Sequence, residues 1–107
     1  MSDCIIIHCS CPDNDQAKKL ADSLISNSLA ACINIITHMT SIYKWQGKVC
    51  EEPETLLLIK THKNMFNAVK THIQSTHPYE LPEIIAVSII QGSQAYLDWI
   101  SNSIPQK

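Results

Sequence analysis

Ala31-Cys32-Ile33-Asn34-Ile35-Ile36-Thr37-His38-Met39-Thr40-Ser41-Ile42-Tyr43-Lys44-Trp45-Gln46-Gly47-Lys48-Val49 is the stretch that decides the fold. From Ala31 to Gln46 it is rich in β-branched and aromatic residues, which favour strands. Gln46-Gly47 reads as a two-residue hairpin turn, so the chain returns antiparallel through Lys48 and Val49. A strand of that length far exceeds the usual run of about 5–6 residues. Such a hairpin is expected to project past its own core and to pair with or clasp a neighbour, unless a bulge folds it back onto its own sheet.

Outward from the hairpin, the remaining elements follow from periodicity. Cys4 to Cys9 is a short apolar run, read as a buried strand. Pro12-Asp13-Asn14 breaks it, and Asp13 with Gln16 resembles a capping box. Ala17, Leu20, Ala21, Leu24 and Ile25 then share one helical face, and Asn27-Ser28 ends that helix. Thr55 to Ile59 predicts a buried strand, with Pro53 marking an edge or bulge beside it. Met65, Phe66, Val69, His72 and Ile73 predict a second helix. His77 to Glu83 holds two prolines and cannot be helical. Ile84 to Ile90 predicts a buried fourth strand, and Ser93 caps a short final helix carrying Tyr96, Trp99 and Ile100.

The order β-α-β-β-α-β plus a terminal helix predicts an α+β, ferredoxin-like antiparallel sheet, a single domain over residues 1–107. Right-handed crossovers put both main helices on one face. Yet Ile5-Ile6-Ile7, Leu56-Leu57-Leu58-Ile59 and Ile84-Ile85-Ala86-Val87 point apolar side chains to both faces. A sheet covered on one side should alternate instead. The expected cover for the second face is another copy of the chain.

Composition excludes several classes. The 107 residues carry 8 basic and 10 acidic side chains, a net charge of -2, with no block of like charge. Neither nucleic acid nor an anionic membrane surface is an expected partner. No apolar stretch approaches the roughly 20 residues of a membrane helix, and the N-terminus lacks the marks of a signal peptide. With no export signal, the five cysteines are expected as reduced thiols in the cytoplasm. There is no Gly-rich phosphate loop, and no organic cofactor is expected.

Five segments, in order and spacing, resemble one known family: Leu29-Ala30-Ala31-Cys32-Ile33-Asn34-Ile35-Ile36, Thr40-Ser41-Ile42-Tyr43-Lys44-Trp45-Gln46-Gly47-Lys48, Leu57-Leu58-Ile59-Lys60-Thr61, His77-Pro78-Tyr79-Glu80-Leu81-Pro82-Glu83-Ile84-Ile85 and Tyr96-Leu97-Asp98-Trp99-Ile100. They are similar to the divalent-cation tolerance proteins called CutA. The resemblance implies a ferredoxin-like fold, a homotrimer related in architecture to the PII signalling proteins, and an association with copper and divalent-metal tolerance. It also implies copper ligands at Cys9 and His77. Thr76 stands where some relatives carry a second histidine.

The residues themselves bear on that site. The end of the first strand should lie beside the start of the fourth, close to His77. Thiolate with imidazole suits copper or zinc. Cys11 is two residues from Cys9 and shares its face, so it is a possible third ligand. The plain alternative is a buried cysteine beside a loop histidine. His8 should point the other way. Cys32 is expected in the core, and His38, His62 and His72 on the surface or a helix face. A Cys9–His77 nucleophile pair would need an oxyanion donor, and no motif supplies one, so no enzyme activity is expected. Tyr43, Trp45, Tyr79 and Trp99 either line an inter-subunit cleft for a small ligand or protein partner, or pack the interface. Glu80 and Glu83 either face that cleft or are solvent charges.

Overall fold

Strand β1 (Cys4–Cys11) leads into helix α1 (Asn14–Ser26), and the long strands β2 (Cys32–Trp45) and β3 (Lys48–His62) form the hairpin. Helix α2 (Phe66–Thr76), strand β4 (Ile85–Ser88) and helix α3 (Gln94–Asn102) complete the order. The computed structural model describes residues 3–105. The four strands make one antiparallel sheet in the order β2-β3-β1-β4. This is the α+β, ferredoxin-like arrangement that the sequence predicts.

The local signals act as expected. The Asp13 side chain accepts from the Gln16 amide at 2.8 Å and caps α1. Ser93 does the same for α3 through the Tyr96 amide. Gln46 and Gly47 both take positive φ, 52° and 80°, the pairing a type I′ turn needs.

Side-chain parity along β1 and β3 separates two environments. Ile5, Ile7, Cys9, Leu57 and Ile59 pack against Ala17, Leu20 and Leu24 of α1 and against Val69 and Ile73 of α2. Full burial of such a side chain stabilises by about 1.5–3 kcal/mol each. The opposite face carries Ile6, Leu56, Leu58, Ile36, Ile85 and Val87 by register. Helix α3 covers one end of it, where Cys4, Ile100 and Ile104 form a second small core. Elsewhere it is open, and Ile36, Ile85 and Val87 are 45%, 56% and 50% exposed.

Four expectations need correction. First, the strand expected from Thr55 starts at Lys48 and runs unbroken through Pro53, which pairs with Thr40 and stands at a sheet edge, as expected. On the hairpin side of Thr55, β3 has no β1 residue beside it, because β1 ends at Cys11, so a residue without N–H is tolerated there. Second, β4 has four residues and is exposed, because it is an edge strand on the open face. Third, Cys32 is half-buried, since its register with Lys60 puts it on the open face. Fourth, His62 is buried; its Nδ1 accepts from the Asn64 amide at 3.2 Å and starts the short 3-10 turn before α2. The bulge lies between Ile36 and Met39, with His38 at φ 60°, and it does not fold the hairpin back. Among the described residues the tip pairs with itself, and the molecule is 44 Å long.

Candidate metal centre

Cys9 and Cys11 sit on alternate positions of β1, on the helix-covered face, and both are buried. His77 is the first residue after α2, where its amide donates to the Ile73 carbonyl at 2.8 Å. Pro78 follows and prevents the helix from continuing. The loop swings His77 over the end of β1, as the strand order requires. The two thiol sulfurs and a ring nitrogen of His77 all lie within 4.8 Å of one another. It is the one such group of three His, Cys, Asp or Glu side chains among the described residues. His8 lies between the cysteines and Ile7 in sequence and belongs to the other face, as strand alternation predicts.

The Cys9 thiol donates to the Ser10 carbonyl at 3.9 Å, and the Cys11 sulfur lies within 4.8 Å of it. Hydrogen bonding between the two thiols comes first in holding the Cys11 pKa below its ordinary value, against burial and the charges of Asp13 and Glu54. The same hydrogen bonding, then burial and the carboxylates Glu83 and Glu54, pushes Cys9 upward. Two neighbouring sulfurs suit a soft cation.

His77 is held at both ring nitrogens. Nε2–H donates to the Ser10 carbonyl at 2.8 Å, and Nδ1 accepts from the Tyr79 amide at 3.0 Å. The Tyr79 ring lies against the imidazole, centroids 4.8 Å apart. The Tyr79 hydroxyl donates to Glu54 at 2.7 Å, and the Ser10 hydroxyl donates to Glu83 at 3.4 Å. A cleft of about 230 Å³ between α1 and the end of α2 opens onto Cys11 and His77, with Gln16, Lys19, Ser23 and Thr76 around it. The donor set fits a soft metal ion: two thiols ready to share it, and an imidazole that must exchange a hydrogen bond to join them.

The profile of a family described as CutA1 divalent ion tolerance protein matches residues 5–103. The chain belongs to this CutA1 family. It is 45% identical over 89 residues to the divalent-cation tolerance protein CutA of Thermus thermophilus, covering 83% of this chain and 86% of that one. It is 40% identical over 99 residues to the chloroplastic CutA of Arabidopsis thaliana, covering 92% of this chain. It spans only 54% of that relative's length. A crystal structure of CutA from Xylella fastidiosa superposes with a TM-score of 0.94 at 40% identity, covering 97% of this chain and all of that one.

Of the CutA1-like features expected from sequence, Cys9, Cys11 and His77 come together, whereas the aromatic residues are spread out. Tyr43 and Trp45 are near the hairpin tip, Tyr79 and Glu80 on the loop after α2, and Trp99 on α3. Trp99 stacks with Tyr96 at 5.5 Å, and Tyr43 donates to Glu52 at 2.8 Å. Glu83 serves Ser10, and Glu80 is exposed. Thr76 donates its hydroxyl to the His72 carbonyl at 2.9 Å and closes α2. Sequence reasoning missed Ser10 and Tyr79 as the main-chain partners of His77. It also missed Glu54, which only the pairing of β3 brings near.

Proposed function

We propose that this chain is a trimeric metal-binding protein in the response to divalent cations, with copper as the leading metal and zinc as the next. It is a binding protein and not an enzyme. The single observation that carries this reading is the meeting of Cys9, Cys11 and His77 within 4.8 Å at the end of β1. In it, Cys9 and Cys11 supply thiolates, His77 supplies a ring nitrogen, and the cleft beside Lys19 is the route of entry. The family name, divalent ion tolerance, agrees with it. The trimer rests on the open apolar face of the sheet, which another copy of the chain would cover. A reducing compartment such as the cytoplasm suits thiols that are not in disulfides; no helix among the described residues is long and apolar enough to cross a membrane.

The test is an anaerobic titration with Cu(I) against a competitor chelator, repeated with Zn(II). Saturable binding, lost in the Cys9→Ser/His77→Ala chain, supports the reading. Unsaturable binding, or binding unchanged in that variant, rejects these ligands. A second reading is a PII-like signalling trimer whose inter-subunit clefts take a small ligand or a protein partner. The half-exposed aromatic rings of Tyr43 and Trp99, at 40% and 47%, favour it. A thermal-shift ligand screen tests this one, because a ligand of the folded state raises its melting temperature.

A further inference from the structure

A neutral imidazole has one N–H and one free lone pair. In His77 both are spent. The N–H is at Nε2 and goes to the Ser10 carbonyl; the lone pair at Nδ1 takes the Tyr79 amide. Holding a cation uses up a lone pair, and there are two ways to do it. If Nδ1 is the donor, the lone pair that served Tyr79 is gone. If Nε2 is the donor, the ring proton must move to Nδ1, where it meets the Tyr79 N–H donor to donor. Either way the Tyr79 amide loses its acceptor.

We propose that His77 is a latch: it can take a metal ion only by releasing the Tyr79 amide, so metal occupancy loosens the 78–83 segment. This rests on the metal reading of Cys9, Cys11 and His77. The segment has no regular secondary structure and includes the exposed Leu81. The hydrogen bonds that tie it to the strands are few: Tyr79 to Glu54 on β3, and Glu83 to Ser10 on β1. The Ser10 tie belongs to the residue whose carbonyl also receives the His77 ring. The segment leads directly into β4, the edge strand whose Ile85 and Val87 lie on the open face. An event at the thiol side of the sheet is thereby passed to the side where another chain can dock. The latch works because the coupled group is a backbone amide, which no side-chain substitution at position 79 would remove except proline.

The test is hydrogen exchange of the Tyr79 amide in the full chain, without metal and with Cu(I) alone supplied from a buffered anaerobic stock. The Tyr79 amide is expected to exchange roughly fivefold faster or more once copper is bound, the loss of one ordinary hydrogen bond. The metal-free His77→Ala chain should already show the fast rate. If copper binds saturably and Tyr79 exchange is unchanged or slower, the latch is wrong while the metal reading stands. The latch is equally wrong if metal-free His77→Ala exchanges at the wild-type rate. If copper does not bind, the metal reading fails and takes the latch with it.

Discussion

The Tyr79 hydroxyl donates to Oε2 of Glu54 at 2.7 Å and ties the loop after α2 to the start of the β1-paired part of β3. Burial, and then this bond to a carboxylate, push the phenol's pKa above its ordinary value of 10.0. A group whose folded pKa is raised stabilises the fold below its unfolded pKa, and that contribution is lost as pH climbs through the folded one. Stability from Tyr79 is therefore intact at neutral pH and declines in strong alkali. Glu54→Gln should bring the Tyr79 titration back toward the ordinary range. The check is the tyrosinate absorbance of Glu54→Gln, with Tyr79→Phe as the subtraction control; an unmoved titration rejects the assignment.

Cys11→Ser should weaken Cu(I) binding without abolishing it, since Cys9 and His77 remain. Removing even an outer partner of a metal ligand commonly costs about 10–100-fold in affinity. The loss of a direct donor should reach at least that range. Competition titration measures it, and equal affinity in Cys11→Ser and wild type would show that Cys11 is not a ligand.

Val87→Lys places a charge on the open face, at a residue 50% exposed in the single chain. If that face is covered by other copies, the charge is desolvated on assembly and the oligomer weakens. Light scattering after size exclusion should report a smaller species for the variant. An unchanged mass would move the interface away from β4.

The turn offers a test of opposite signs. Gln46 holds φ 52°, a conformation that asparagine visits more easily, so Gln46→Asn should raise stability by up to about 1 kcal/mol. Gly47 holds φ 80° with nothing within 4 Å of an added Cβ, so Gly47→Ala should destabilise through backbone strain alone, by about 1 kcal/mol. Thermal melts of the two variants should bracket the parent.

Ile59 is fully buried between β1 and the helices. Ile59→Ala should cost about 2–5 kcal/mol by urea unfolding. The exposed Ile42, at the hairpin, serves as the comparison: in an isolated chain its replacement by alanine would cost far less. A large cost at Ile42 would mean that a neighbouring chain covers the hairpin.

Element type and order were legible because the caps and apolar runs are written locally. Asp13, Ser93 and Gln46-Gly47 act within three residues of where they stand. The meeting of Cys9 with His77 was legible too, since topology alone places the end of β1 beside the start of β4. Non-local facts were harder. Pro53 marked an edge, yet nothing in the run Glu52-Pro53-Glu54 says that β3 continues through it from Lys48. Nor does a histidine before a proline declare that its ring will be held by two main-chain groups. Those partners, the Ser10 carbonyl and the Tyr79 amide, are of a kind found along the whole backbone and leave no mark in composition.

Strand β1 divides its eight residues between two tasks by parity alone. Odd positions, with Cys9 and Cys11, look toward the helices; even positions, with Ile6 and His8, look toward the open side. The spelling of the strand thus has a reading frame. Inserting one residue near Ile6 would turn the thiols out onto the broad surface and set His8 and Ser10 in their place, so both tasks would be lost in a single slip although every side chain survived. Substitution can impair them one at a time; a frame change cannot.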